Sequence, residues 1–222
     1  MGDVVMEGPR RLADSKRDGT LFVLDLTEAP RTESLPDVTM RAAGAADAAA
    51  LRDAMDATGT YAGDEVQTRL SSGRLPYVVE KDGLVASYGW VALSAEPIGD
   101  LGIAFQLEPG EAYIYDCATR PAYRGRGFYP ALLRYIARDL GRAGLRRAWI
   151  GTAPGNATSQ RGIVRAGFTK VADVNVEREP NGHVDVELYG VPGIAPELLR
   201  HAAWSFHGRP YADAGISVVS SQ

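Results

Sequence analysis

The sequence predicts a mixed α/β fold, with a mostly antiparallel mixed sheet and helices on both faces. Two observations predict the antiparallel part: Asp82-Gly83 and Asn181-Gly182 each separate two strand-like runs, which is the arrangement of a β-hairpin. A third predicts that the sheet is mixed, because residues 111–168 follow the order strand, glycine-rich loop, helix, strand and helix.

Each strand is predicted from a short run of apolar, β-branched or aromatic residues. In chain order the predicted strands are 21–26, 38–41, 75–80, 84–93, 103–107, 111–119, 147–151, 171–176 and 184–189. The helices are predicted from apolar residues at helical spacing and from the stop signals beside them. They are one that begins near residue 45, followed by 64–70, 130–140, 156–165 and 196–204.

The length fits one main domain with extensions. We expect a partly ordered N-terminal extension at 1–36, the main domain at 37–191, and a tail with a short helix at 192–222. The apolar stretches are far shorter than the about 20 residues of a membrane span, so no membrane partner is expected. With one cysteine, Cys117, and three histidines, neither a disulfide framework nor a metal site is expected, and a reducing cytoplasmic setting is the default.

The formal net charge of −4 hides a strong division along the chain. Residues 120–165 contain ten arginines and one acid, Asp139, so they carry +9 and leave −13 for the remainder. A basic segment inside an acidic chain favours a local site for a polyanion, and no nucleic-acid partner is expected. The alternative is that individual arginines simply lie on solvated helix faces.

The glycine-rich loop carries the strongest functional signal. Gly125 and Gly127 follow a strand and precede a helix that has Pro130 in its first turn. The first N–H groups of a helix lack internal partners and lie at the positive end of its dipole, and glycines let the backbone close around an anion. Arg124 and Arg126 add positive charge and planar donors, so the loop is predicted to bind phosphate.

Two other kinds of phosphate loop fail on spacing. A nucleotide-binding P-loop needs Gly-x-x-x-x-Gly-Lys-Ser/Thr, and no such lysine follows these glycines. A dinucleotide-binding loop needs Gly-x-Gly-x-x-Gly, and its last position is Pro130 here. A tight turn that merely uses glycine and proline is the remaining structural alternative.

Two stretches resemble the GCN5-related N-acetyltransferase (GNAT) superfamily. Arg124-Gly125-Arg126-Gly127 resembles the family's Arg/Gln-x-x-Gly-x-Gly/Ala stretch, and Leu132-Leu133 resembles the apolar pair of the helix after it. Asn156-Ala157-Thr158-Ser159, followed by Ala166-Gly167-Phe168, is similar to the family's Asn-x-x-Ser/Ala…Gly-Phe segment. The motifs occur in the family's order, and the resemblance covers residues 37–190.

The resemblance implies that the strand at 111–119 splays from the strand at 148–153, with acetyl-coenzyme A in the gap as acyl donor. The pantetheine arm would use the free backbone edge at 117–119, and the pyrophosphate would rest on residues 124–129. The residues expected to bind coenzyme A are Cys117, Ala118, Thr119, Arg124, Gly125, Arg126, Gly127, Phe128, Tyr129, Asn156 and Ser159.

Two features depart from the family pattern. The last loop position, usually Gly or Ala, is Tyr129, whose side chain must turn away from the phosphates, and Pro130 removes one N–H donor. Many relatives use a tyrosine after the asparagine to protonate the departing thiolate, and that position is Ile163 here. Because isoleucine cannot donate a proton, another group or water must do so, or protonation must come late and without help.

Two carboxylates are candidate bases for the attacking amine. Glu111 aligns with the glutamate base of the histone-acetylating branch and, in a regular strand, shares a face with Tyr113, Tyr115 and Cys117. Asp116 would lie on the opposite face unless a bulge intervenes, and burial would raise its pKa. The structural alternatives are a solvated carboxylate for Glu111 and a hydrogen-bond acceptor for Asp116.

The remaining candidates have structural alternatives as well. Cys117 is expected to be a small buried residue, because direct transfer needs no nucleophile. Tyr113, Tyr115 and Tyr129 are candidate acids, each with packing as the alternative. His201 in the tail could cover the acceptor pocket or lie on a helix that docks on the core.

These observations predict an acyl-coenzyme A-dependent N-acyltransferase that moves an acetyl group to the primary amine of a small molecule. The acidic remainder of the chain favours a cationic acceptor. Two alternatives stay open: a coenzyme A-binding sensor or interaction module without catalysis, which Ile163 motivates, and an enzyme with a longer acyl donor. The sequence also leaves a homodimer open.

Overall fold

The computed structural model describes residues 17–28, 35–60, 64–99, 102–178, 180 and 184–207 of the chain. The strands are β1 (Gly19–Asp25), β2 (Thr39–Ala42), β3 (Leu75–Lys81), β4 (Leu84–Ala92), β5 (Glu96–Ile98), β6 (Ile103–Phe105), β7 (Glu111–Thr119), β8 (Arg147–Thr152), β9 (Thr169–Arg178) and β10 (Val184–Gly190). The helices are α1 (Ala48–Thr58), α2 (Glu65–Ser71), α3 (Phe128–Arg142), α4 (Ala157–Arg165) and α5 (Pro196–His207). The predicted mixed α/β class is confirmed.

The main sheet has eight strands in the order β10-β9-β1-β8-β7-β4-β3-β2. The β7–β8 pair is parallel, and the other neighbouring pairs are antiparallel. This parallel pair therefore joins two antiparallel halves of the sheet. β5 and β6 form a small separate sheet.

The first strand, β1, lies in the middle of the main sheet. It pairs with β8 along one edge and with β9 along the other. The expected N-terminal extension ends at residue 36, but β1 belongs to the main sheet, so the structure corrects that boundary. Phe22 and Leu24 are buried on one face of the sheet, and Leu21 and Val23 are buried on the other. β1 is thus a central strand that holds β8 in place.

Helices cover both faces of the sheet, as predicted. On one face α3 buries Leu132, Leu133 and Ile136 against strand residues such as Ile114. On the other face α5 packs over the half that contains β9 and β10, while α1 and α2 pack over β3 and β4. The core therefore consists of two layers, one above and one below the sheet.

The helices near the functional segment begin close to their predicted positions. α3 starts directly after Gly127, α4 has Asn156 as its N-cap, and α5 continues to His207.

Within the described ranges no helix is both long and apolar enough to cross a bilayer. The predicted turn at 181–182 lies outside the described residues, although β9 and β10 pair on either side of it.

We expect Phe22→Ala to destabilise the protein by about 3–5 kcal/mol, because this side chain, only 1% exposed, fills the centre of the core. Leu84→Ala is the matched control: Leu84 is 46% exposed at the start of β4, so its truncation should cost under about 0.5 kcal/mol. Urea unfolding measures both variants. Small and equal effects would show that β1 is dispensable to the fold.

Candidate active site

The candidate site is the gap that opens between β7 and β8. These strands pair in parallel only from Glu111 opposite Arg147 to Ile114 opposite Ile150. Beyond that point β7 follows β4, and β8 follows β1. Among the described strands, none pairs with the edge of residues 115–119 that faces β8. The splay is therefore present, and its free backbone groups can bind a ligand.

A β-bulge at Asp116 shapes this free edge. The pairing of β4 with β7 shifts register here, so that Gly89 of β4 faces both Asp116 and Cys117. Asp116 has a φ of 42°, in the left-handed region that few residues other than glycine adopt. A Cβ on Gly89 would lie 2.7 Å from Cys117 Sγ, so glycine is required opposite the bulge.

The bulge changes which side chains share a face of β7. Ala112, Ile114 and Cys117 all pack under α3. Tyr115 packs against the clusters on the opposite face. The expectation for a regular strand placed Cys117 on the face of Glu111 and Tyr115, and the structure corrects it because the extra residue reverses the alternation.

Asp116 lies on the side of β7 that faces α2, where it forms an ion pair with Arg69. Because of the bulge, Asp116 and Tyr115 lie on the same face of β7, whereas a regular strand would place them on opposite faces. The Arg69 guanidinium also lies 5.2 Å from the ring centroids of both Trp90 and Tyr115. Burial raises the pKa of Asp116, and this effect outweighs the opposing effect of Arg69. A carboxyl group with a raised pKa beside the gap can accept a proton.

The predicted phosphate loop lies where β7 ends. Gly125 and Gly127 have φ values of 76° and 78°, so both adopt the left-handed conformation that glycine reaches without strain. Arg124 Nε donates to the carbonyl oxygen of Thr119 at 3.1 Å, which ties the loop to the end of the strand. The Arg126 guanidinium lies 5.4 Å from an aromatic ring of the preceding turn. Two arginines therefore flank a compact glycine loop.

The first turn of α3 follows directly. Gly127 is the N-cap, and Ala131 donates its N–H back to the Gly127 carbonyl oxygen. The N–H groups of Phe128 and Tyr129 therefore have no acceptor within the helix. Pro130 lacks an N–H, but in the first turn that group would have no helical partner either. The helix start keeps two donors at its positive end, as an anion site requires.

The Tyr129 side chain leaves the loop and packs onto α4. Its hydroxyl lies 3.1 Å from Ser159 Oγ. The Ser159 N–H donates to Asn156 Oδ1 at 3.0 Å. A Cβ on Gly162 would lie only 2.5 Å from the Tyr129 ring, so this ring needs glycine beneath it. The structure thus connects Tyr129, Ser159 and Asn156 in one group at the start of α4.

Cys117 is partly buried on the α3 side of the strand. Burial raises the pKa of its thiol, which disfavours the reactive thiolate. This environment supports a packing role for the side chain. Its backbone lies on the free edge of β7.

Glu111 lies at the closed end of the β7–β8 pair, away from the loop. It is 3% exposed, accepts a hydrogen bond from Arg147 Nη1 at 2.6 Å and lies 3.0 Å from His201 Nε2 on α5. Burial acts to raise its pKa, but His201, the Glu108 N–H and Arg147 outweigh it, so the pKa lies below its ordinary value. This carboxylate holds the tail helix against the sheet.

The same residues line a cavity of about 570 Å³ between β1, the starts of β7 and β8, and the start of α5. Glu108, Glu111 and His201 bring potential metal-ligand atoms within 4.8 Å of one another. Arg147 already pairs with Glu111 and would repel a cation there. We therefore interpret the group as an ion-pair network.

The sequence from residue 50 to residue 168 matches the model of the acetyltransferase (GNAT) family. The match covers more than half of the 222 residues and includes the bulged strand, the loop and α4. The chain belongs to the GNAT acetyltransferase family. The resemblance inferred from the two motifs is thus confirmed. A comparison with curated proteins gives no significant match.

Several solved GNAT structures share this fold. The chain is similar to a GNAT-family acetyltransferase from Colwellia psychrerythraea, with 16% identity and a TM-score of 0.52 over 70% of this chain and 53% of that one. It is similar to the ribosomal-protein-S18-alanine N-acetyltransferase from Escherichia coli, with 17% identity and a TM-score of 0.50 over 67% and 89%. It is also similar to AAC(6')-Iy in complex with a bisubstrate analogue, with 16% identity and a TM-score of 0.52 over 64% and 97%. These likenesses establish the fold, and the chain spans about half the length of the Colwellia protein.

Two residues that shape this GNAT site were not predicted. Gly89 lies inside a predicted strand, and an interior glycine is a signal of a bulge or a close approach. Arg69 lies on α2, 47 residues before its partner Asp116, and no local pattern connects the two.

We expect Glu111→Gln to destabilise the protein by roughly 2–3 kcal/mol at pH 7, because the substitution removes a charged hydrogen-bond acceptor. Since the pKa of Glu111 is lowered in the folded state, its stabilisation is present above the unfolded-state pKa and is lost as pH falls through the folded-state pKa. The difference from wild type should therefore shrink in acid.

Urea unfolding at a series of pH values measures this difference. Glu197→Gln is the matched control, since its side chain is 76% exposed and its loss should change stability by under about 0.5 kcal/mol. A Glu111→Gln effect that stays constant down to acid pH would contradict the assignment of an ionised, paired carboxylate.

Proposed function

We propose that this GNAT protein transfers an acetyl group from acetyl-coenzyme A to the primary amine of a small molecule. The observation that carries the proposal is the position of the glycine loop and the α3 N-terminus at the open end of the β7–β8 gap. The gap supplies a free backbone edge for an extended amide-bearing chain, and the loop supplies donors and charge for a pyrophosphate. Membership of the acetyltransferase family supports acetyl-coenzyme A as the donor.

The donor would lie along a continuous line of residues. Its pantetheine arm would follow the edge at 117–119, and its pyrophosphate would contact 124–129. Asn156 and Ser159 would flank the arm from α4. The +9 charge of residues 120–165 would help to attract this polyanion.

Transfer would begin with attack of the neutral amine on the thioester carbonyl carbon. As the C–N bond forms, negative charge develops on the carbonyl oxygen, and an N–H on the free edge of β7 would stabilise it. The C–S bond then breaks and coenzyme A leaves as a thiolate. The nitrogen must lose a proton in this sequence, which requires a base.

We assign the base role to Asp116 and a structural role to Glu111. Asp116 lies at the bulge beside the gap, and burial raises its pKa toward the range in which a carboxylate accepts a proton effectively. Glu111 lies at the closed end, paired with Arg147 and His201, and its pKa is lowered.

The acceptor would bind on the α1–α2 side of β7. Acidic side chains there include Glu65 and Asp116, both paired with Arg69, and Glu96, paired with Arg74. These three carboxylates and two arginines leave this side a net charge of −1, so it suits a cationic amine, as does the acidic remainder of the chain. Neamine and spermidine are therefore good first probes.

The cytoplasmic location expected from the sequence stays a prediction.

We expect acetyl-coenzyme A to bind the wild type, and the double variant Arg124→Ala/Arg126→Ala to bind it at least about tenfold more weakly, because charge-assisted contacts to phosphate are lost. Isothermal titration measures both. Arg142→Ala, an exposed position at the far end of α3, is the matched control and should bind like wild type. No binding by the wild type, or equal binding by both, would contradict the proposal.

We expect Asp116→Asn to lower kcat/KM by about 100-fold or more, since an amide cannot act as the base. In the wild type the rate should rise with pH through the raised pKa of Asp116, and this acid limb should disappear in the variant. Release of coenzyme A thiol with neamine or spermidine measures the profile.

Asp82→Asn is the control for Asp116→Asn, because it removes an exposed carboxylate from the β3–β4 turn without disturbing the left-handed conformation. An unchanged acid limb in Asp116→Asn would assign the base elsewhere.

One observation favours a second candidate function, a coenzyme A-binding sensor or interaction module without catalysis. Ile163 is fully buried in the cluster under α3 and offers no proton at the position where many relatives have a tyrosine. Such a module would bind acetyl-coenzyme A but release no thiol with any amine. Thiol release with any member of an amine panel would therefore exclude it.

A further inference from the structure

Tyr129 is a phenol at the junction of three parts of the site. Its backbone belongs to the first turn of α3, and its hydroxyl reaches Ser159 on α4 at 3.1 Å. It packs in the same cluster as Cys117, which lies on β7 beyond the point where the strands part. The side chain thus connects the β7 side of the gap with the helix that follows β8.

The local packing around this ring is specific. Gly162 lies inside α4, where glycine costs about 1 kcal/mol relative to alanine. A Cβ at that position would come within 2.5 Å of the Tyr129 ring, so the glycine makes room for it. One turn before Gly162, Ser159 Oγ forms a hydrogen bond with the Tyr129 hydroxyl. The Ser159 N–H in turn donates to the side chain of the N-cap Asn156.

Helix geometry relates this phenol to position 163. Side chains on a helix lean back over the turn on their N-terminal side. A long side chain at position 163 of α4 would therefore cover the turn near Ser159. The Tyr129 side chain extends from α3 and places its hydroxyl at that same turn. Ile163 itself is buried in the core and carries no polar group.

We propose that Tyr129 protonates the thiolate of coenzyme A as the C–S bond breaks, an inference that rests on the proposed acetyl transfer. The thioester sulfur takes the electron pair of the C–S bond, and the Tyr129 hydroxyl gives it a proton. The products are the amide, the free thiol and a tyrosinate. Solvent returns a proton to the tyrosinate through Ser159, and the proton lost by the amine goes to the base.

The environment suits a donor of this kind. Burial raises the pKa of Tyr129, so the hydroxyl stays protonated at neutral pH. Burial also raises the pKa of the neighbouring Cys117 thiol. A coenzyme thiolate formed in the same surroundings would likewise be a stronger base than in water, so the raised pKa of the phenol is offset and does not by itself oppose the transfer.

The other groups near the gap are less suited to this role. Tyr113 points its hydroxyl at Gly151 of β8, where a Cβ would lie 2.8 Å from it, and its ring stacks on Phe105 on the α5 side. Tyr115 lies beside Arg69 on the acceptor side. Tyr129 alone among these three tyrosines lies on the side of the loop and α4.

The test compares four proteins: wild type, Tyr129→Phe, Tyr129→Phe/Ile163→Tyr, and the control Tyr135→Phe. Tyr135 lies on the same helix, with its ring edge against Tyr77. For each protein, isothermal titration gives the Kd for acetyl-coenzyme A, and thiol release with the fastest amine of the panel gives kcat. Thermal unfolding checks that each variant folds.

We expect Tyr129→Phe to bind acetyl-coenzyme A within about threefold of wild type and to lose about 100-fold or more in kcat, because the ring stays and only the proton donor is lost. Tyr135→Phe should match wild type. The double variant, which introduces a phenol at position 163, should have a kcat at least about tenfold higher than that of Tyr129→Phe.

Unchanged kcat in Tyr129→Phe would overturn the assignment and leave the proposed function intact. Weakened binding with unchanged kcat would reduce Tyr129 to a packing residue and also overturn it. If the wild type binds no acetyl-coenzyme A or releases no thiol, the proposed function fails first and the assignment falls with it. If the double variant does not fold, Tyr129→Phe alone decides.

Discussion

β7 and β8 pair for a short distance and then part, and the position of every other part of the site follows from that parting. Each strand keeps an antiparallel partner on its outer edge, β4 for β7 and β1 for β8. The sheet therefore stays intact on both sides, and unpaired backbone is confined to the gap. The bulge at Asp116 lies opposite Gly89, shapes the free edge and turns a carboxyl group toward Arg69 of α2.

The two ends of β7 serve different purposes in this account. At the open end, the glycine loop, the start of α3 and the start of α4 meet around the gap. At the closed end, Glu111 pairs with Arg147 and His201, and the His201 ring stacks on Trp149 at 5.7 Å. The tail helix α5 is thereby fixed to the same strand whose other end borders the gap.

The parts of the site that depend on local sequence signals could be predicted. The parts that depend on contacts between distant residues could not. A few neighbouring residues encode the glycine loop before α3 and the N-cap Asn156 before α4. The sequence therefore predicts the positions of both helix starts. The central position of β1 depends on partners more than a hundred residues away, although its continuous apolar run is typical of a strand buried on both faces. The ion pair of Asp116 with Arg69 and the ring of Tyr129 over Gly162 needed the fold itself.

Hydrogen exchange with and without coenzyme A tests the central claim, that the ligand occupies the β7–β8 gap. Backbone amides that gain hydrogen bonds or lose access to water exchange more slowly. The account predicts that coenzyme A slows exchange in residues 115–119, 124–129 and 156–159, and leaves the closed end around Glu111 and His201 unchanged. Protection confined to the closed end, or no protection in these three segments, would contradict it.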